Sequence, residues 1–271
     1  MIKPVRDFFR MKDDVPLWES VLLGTLPVAL VLLLWMWATT ADIPEHRRIS
    51  PTILPSPVEV AASLPELWGR RQLATSILYS LGRVAAGFLI GAAVAVPLGI
   101  AMGAFVRIKA LFLPVAVIGG YTPIAALLPL TMMLFGIGES QKIMFLAVAA
   151  FVYLLPLVFK AVSSVDEVYL ETAATLGAGT WKQVTRVLVP VALAEIYNAL
   201  RLAFAVGWTY IILAEMVDAD RGLGNLIIVS QRRGPREHIF LVILVIALVG
   251  FLVDWILARL GRWLFPHKAG A

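Results

Sequence analysis

The groups with which a chain does covalent or metal chemistry are nearly missing here. The three histidines, His46, His238 and His267, stand far apart and at no metal-ligand spacing. The 271 residues include no cysteine, which excludes disulfides and thiolate metal sites. No G-x-x-x-x-G-K-[ST] loop is present to cradle nucleotide phosphates, and no Ser/His/Asp arrangement supplies a nucleophile and its base. What remains is charge set inside apolar runs. Arg83 lies in one such run; Glu195, Asn198 and Arg201, three residues apart, lie near one face of another. Charge in such surroundings is a functional hypothesis by default. Two readings stand for each group. Arg83 either snorkels or hydrogen-bonds to a neighbouring helix, or it attracts an anion along a path. Glu195 and Arg201 either neutralise each other structurally or line that path with Asn198. Neither reading makes a catalytic set, so the chain is not read as an enzyme.

The elements that hold these groups are membrane helices. The chain is 60% hydrophobic and 15% charged, with a mean hydropathy of +0.87, where a soluble domain is about half apolar and about a quarter charged. About 20 apolar residues cross a bilayer. Six spans are predicted, over 21–40, 74–103, 111–135, 143–159, 187–216 and 238–257, in one domain from 21 to 265. Segments 1–20 and 266–271 are short polar ends, and both termini are expected inside. The first apolar run is too long for a signal peptide, which has an apolar core of about 7–15 residues. The positive-inside count has the matching sign but is weak, because the arginines Arg232, Arg233 and Arg236 fall in a long outer loop. They read as a solvated loop, or as a contact for a binding protein. The net charge of +5 carries no aromatic-interleaved basic patch, so nucleic acid is not an expected partner.

Span 74–103 carries Gly87-x-x-x-Gly91 and Gly99-x-x-x-Gly103, a spacing that lets membrane helices approach closely. Pro114, Pro123 and Pro129 interrupt span 111–135, which suits a helix lining a pathway. Ser56, Pro57 and Glu59 read as a helix start before a short amphipathic helix ending near Trp68.

Between spans four and five, residues 160–186 form the longest polar connection on the expected inner side. Ser164 with Glu167, and Thr180 with Gln183, have capping-box spacing, so two short helices are predicted around a bend at Gly177. Ala173, Ala174, Gly177, Ala178 and Gly179 leave little bulk there, and Gly177 is expected to have no room for a side chain.

This stretch resembles the EAA loop of ABC importer permeases. The family pattern is Glu-Ala-Ala, three residues, Gly, nine residues, then Ile-x-Leu-Pro, and Glu171, Ala173, Gly177 and Pro190 match it. Thr172 stands for the second-position alanine, and Val187 and Val189 for the aliphatic pair. The phrases LPSPVEV, TPIAALLPL and GLGNLI are similar to segments of permeases for nitrate, sulfonate, taurine or bicarbonate, and the resemblance runs from about Pro55 to Pro266. It implies an all-α, type I importer-like permease in the bacterial inner membrane, paired with a second permease subunit, expected to be identical. It implies two cytoplasmic ATPase subunits, an external solute-binding protein, and no cofactor in this chain, with ATP and Mg held by the ATPase. Glu171, Thr172, Ala173, Gly177, Ala178 and Pro190 become the expected coupling residues. Arg83, Pro123, Glu195, Asn198 and Arg201 become the expected path residues. A secondary transporter or channel is the competing class, but it usually shows an internal repeat, and none is evident.

Overall fold

A computed structural model describes residues 15–41, 47–233 and 236–266. The basic residues Lys3, Arg6, Arg10 and Lys12, and His46, His267 and Lys268, lie outside the described residues. The chain divides into two compact units after Leu64.

In the first unit, α1 spans Leu17–Thr39. Leu22, Val28, Leu33 and Trp37 face outward on all its sides. A helix apolar all round belongs in hydrocarbon rather than in water. The Ser56–Glu59 capping box forms as expected and starts α2, Pro57–Ala62. Arg47 grips the same Glu59 carboxylate through two bonds, of 3.1 and 2.9 Å. That guanidinium, with the Ser56 backbone amide, holds the Glu59 carboxyl down at about 2. The single amphipathic helix expected up to Trp68 breaks at Ser63, and α3 continues over Leu64–Gly69.

The second unit is built on α4, Leu73–Ala104, packed along α7, Glu139–Ser163. Between them the expected third span, 111–135, is not one helix. α5, Val106–Tyr121, and the segment containing α6, Leu128–Phe135, meet at 98°. Pro123 causes the break: it pushes Thr122 into extended backbone (ψ 124°) and cannot donate a helical hydrogen bond. Among the described residues five helices are therefore long and apolar enough to cross a membrane, or up to six if the bent pair counts as one.

After α7 come α8, Glu167–Thr175, and α9, Thr180–Gln183. One π-helical turn, Val184–Leu188, leads into α10, Val189–Thr209. Pro190 sits just beyond that turn and has no N–H to give, which accounts for the widened register. The expected fifth span, 187–216, thus belongs to a continuous helical run, Thr180–Thr209, that stops at Tyr210; α11, Ile211–Glu215, is separate. The expected outer loop, 217–237, in which 225–230 reads as a short re-entrant or surface helix, contains α12, Leu223–Arg233, and α13 spans Arg236–Leu264. Two core clusters fill the unit, one around Phe145, Trp208, Leu223 and Val242, the other around Met102, Val158, Leu188 and Ile196.

Candidate functional site

The α8–α9 hairpin is shaped by local chemistry. Asp166 caps α8 by accepting from the Val168 amide at 3.0 Å. Ser164, the expected cap, instead ends α7 and donates its hydroxyl to the Ala161 carbonyl. The second expected box also fails: Gly179 precedes α9 without a side-chain cap, and Gln183 reaches back to the Ala178 carbonyl at 2.7 Å. At the bend, Gly177 has φ +80°. Its amide bonds to the Ala174 carbonyl and the Ala178 amide to the Ala173 carbonyl, both at 2.9 Å, the two bonds of a Schellman ending. A Cβ on Gly177 meets nothing within 4 Å. Within this chain the demand for glycine there is therefore conformational.

The hairpin leaves large apolar groups uncovered. Leu176 is 83% and Trp181 72% exposed, and Val168 and Tyr169 are exposed beside them. Glu171 and Thr172 are exposed on the same short helix, Ala173 and Ala178 half-buried, and Pro190 exposed past the π turn.

Arg83 is held in a buried ion cluster at the start of α7. It is 4% exposed and every nitrogen of its guanidinium is bonded. It donates twice to the Glu139 carboxylate, at 2.7 and 2.6 Å, and to Glu215 and the Arg221 carbonyl, each at 2.6 Å. Glu215 also accepts from the Ser80 hydroxyl and, at 2.8 Å, from the Gly224 amide. Lys142, 1% exposed, closes the cluster by donating to the Asp218 carbonyl at 2.9 Å. A Cβ at Gly224 would approach the Glu215 Cβ to 2.6 Å, and one at Gly222 would collide with the carboxylate itself. The two glycines of G-L-G thus exist to let the backbone wrap an acid.

Arg201 meets a different partner. It binds Asp254 of α13 through two bonds, of 2.5 and 2.7 Å, so its acid is Asp254 rather than Glu195. Glu195 is half-buried and Asn198 exposed on the same helix, and Asn198 lines a cavity of about 140 Å³ with Tyr197 and Arg201. Arg201 and Asp254 also border an apolar groove of about 470 Å³ between α10 and α13. Arg83 and Arg201 are therefore not gathered into one site; each is neutralised by its own acids. Pro123 is exposed at the bend it makes. The stripe Gly87, Gly91, Gly99 and Gly103 faces α7.

Glu139, Lys142, Ser80 and Asp254 went unselected as candidates from sequence. The available signal was that an arginine in an apolar run requires an acid at matching depth on another run, and Asp254 is the acid in the middle of the last one. Asp254→Asn keeps a hydrogen bond but leaves Arg201 charged without its counter-ion. It is expected to cost about 1–2 kcal/mol. Thermal unfolding of the purified chain checks this, and the swap of both residues should recover most of the loss.

A family model described as "Binding-protein-dependent transport system inner membrane component" matches residues 87–266. The taurine transport system permease protein TauC of Escherichia coli (strain K12) is 31% identical over 262 residues, covering 95% of this chain and 94% of that one. The putative aliphatic sulfonates transport permease protein SsuC of Bacillus subtilis (strain 168) is 28% identical, over 90% of this chain and 87% of that one. Among solved structures, the inward-facing MetNI methionine ABC transporter matches with a TM-score of 0.65 at 21% identity, covering 73% of this chain and 97% of that chain; this is a likeness of fold.

Proposed function

Because the chain belongs to the family of binding-protein-dependent transport system inner-membrane components, we propose that it is the permease of an ATP-driven importer of a small organic anion of the sulfonate class. The observation that carries the coupling assignment is the α8–α9 hairpin. It presents Leu176, Trp181, Val168 and Tyr169 to the surroundings, and it is rigidified at Gly177. Exposed apolar groups at a stiff polar bend suit docking against a soluble partner, and the position coincides with the Glu171–Pro190 motif.

In this reading the hairpin lies in the cytoplasm and each of two identical permease subunits seats one ATPase, which binds ATP and Mg. Glu171 faces a basic rim on that ATPase. A solute-binding protein delivers the anion at the opposite end. Closure of the ATPases draws the two hairpins together. The motion passes through the π turn and Pro190 into α10, and the α4–α7 pair turns with it as a rigid body. The relatives' names, taurine and aliphatic sulfonates, support the solute class.

The test is purification of the tagged chain from native membranes in mild detergent. An ATPase with a phosphate-binding loop is expected in comparable amount, reduced about tenfold or more by Glu171→Arg, which is about 1.4 kcal/mol of docking free energy. Recovery of the chain alone, together with solute uptake by the reconstituted chain without ATP, overturns the reading.

A further inference from the structure

A polar cavity of about 300 Å³ lies beside the Arg83 cluster, sharing Arg221 with it, where the turn before α4 faces the loop before α12. Arg70, Arg71 and Arg221 stand on its wall against one acid, Asp220, so the wall is positive. Among the described residues the guanidinium groups of Arg70 and Arg71 have no ion pair or hydrogen bond; only their backbone amides are bonded, to the Glu66 carbonyl. Arg221 is oriented without being neutralised: its guanidinium sits 5.5 Å over the Tyr79 ring and donates to the Tyr79 hydroxyl at 3.3 Å.

Two further features point to a ligand. Ser76 is 5% exposed and lines the cavity, and its hydroxyl has no partner among the described residues. The residue is buried but its hydroxyl opens onto the cavity, where it is free to donate to an occupant. The cavity also borders the first turn of α4, a helix of 32 residues. Gln72 enters that helix with φ +52° and gives it no side-chain cap, so the first amides remain open. They form the positive end of a long helix dipole. Asn225, fixed by its bond to the Asp220 carbonyl at 2.9 Å, completes the wall.

We propose that this cavity is an oxyanion site that takes a sulfonate or phosphate head, held by Arg70, Arg71 and Arg221 with Ser76 donating its hydroxyl. Guanidinium groups match the planar faces of such oxyanions through paired bonds. Two sources share the chemistry. Gln72 directly precedes a membrane-length helix, so both a soluble sulfonate and a phospholipid head group reach the cavity. The sulfonate source rests on the importer reading above; the oxyanion chemistry does not.

The test uses the full chain with its co-purifying partners. Ethanesulfonate binding is measured by equilibrium dialysis, and retention of phosphatidylglycerol by native mass spectrometry. The parent is compared with Arg70→Gln/Arg71→Gln and with Ser76→Ala, each first shown to melt as the parent does. The double variant is expected to weaken the bound oxyanion about tenfold or more and Ser76→Ala about threefold, in proportion to the charged and neutral hydrogen bonds removed. A loss confined to ethanesulfonate assigns the site to a solute; a loss confined to the phospholipid assigns it to lipid. Equal binding of both probes by parent and variants, or binding of neither by the parent, overturns the proposal. Co-purification of the ATPase is read on the same samples. Its absence from the parent sinks the importer reading while the lipid measurement still decides the site.

Discussion

Arg83→Ala is expected to destabilise the chain by about 3–5 kcal/mol, the cost of stripping one partner from a buried ion cluster. For a chain of this size that is a fall in Tm of roughly 10 °C or more. The variant leaves the Glu215 carboxylate, 1% exposed, without its cation, and frees the Arg221 carbonyl. Lys142 cannot substitute, because its ammonium is committed to the Asp218 carbonyl and lies 3.5 Å from Glu139 rather than beside Glu215. Arg83→Lys should recover only part of the loss, since one ammonium cannot serve three acceptors in a fork. The discriminating variant is the apolar pair Arg83→Met/Glu215→Met. It removes both charges and should melt above either single variant, because no buried charge is then left unpaired. Differential scanning fluorimetry in a mild detergent reads the parent and these variants. If Arg83→Ala melts with the parent, the cluster does not bind the ends of α4, α7 and α11 together.

The cluster also shows where sequence reading stops. Span positions were legible because apolar runs of membrane length are unambiguous, and five of the six expected runs coincide with long helices. The sixth did not survive as a straight span: Pro123 acts on its neighbour's backbone, and the bend angle depends on packing that no periodicity records. The hairpin was legible as two short helices around Gly177, because left-handed backbone is a local demand with a local residue. Its caps were misplaced. Ser164, Asp166 and Gly179 can all cap, and which one does so depends on where the preceding helix ends. Arg83 and Arg201 were visible as charges out of place. Their partners were not, because Glu139, Glu215 and Asp254 lie 56, 132 and 53 positions away in the chain, and only the fold brings them to bonding distance. For the same reason the G-L-G phrase at 222–224 was legible only as a resemblance; its physical meaning, a backbone closing over Glu215, needs the three-dimensional contact.

Gly91→Leu is expected to separate α4 from α7 at a cost of about 3 kcal/mol, at the upper end of what overpacking usually costs. The magnitude follows from what the new side chain meets. A Cβ on Gly91 lands 2.6 Å from the Ala147 carbonyl oxygen, 2.9 Å from the Ala150 Cβ and 3.1 Å from the Phe151 amide nitrogen. Two of these are backbone atoms of a helix and cannot turn aside, so the helices themselves must part. Gly87 has the same character, 2.8 Å from the Ile143 carbonyl oxygen. Gly103 differs: its nearest neighbours are the Cγ1 and Cβ of Val162, which cannot rotate away, but both residues lie in the last turn of their helices, and a helix end shifts more readily than its middle, so Gly103→Ala should be milder than Gly91→Ala. Gly82, on the same helix, has nothing within 4 Å, and Gly82→Leu should not lower Tm, which controls for the helix propensity gained. A leucine series across the four positions therefore predicts an order: Gly82 without loss, Gly103 intermediate, Gly87 and Gly91 most severe, with Gly91→Leu lower in Tm by roughly 10 °C. Equal effects at Gly82 and Gly91 would mean that the α4–α7 contact is not what the glycine spacing serves. If the order holds, α4 and α7 behave as one body, and any conformational change driven from the α8–α9 hairpin is carried by α10 against that pair rather than by sliding within it.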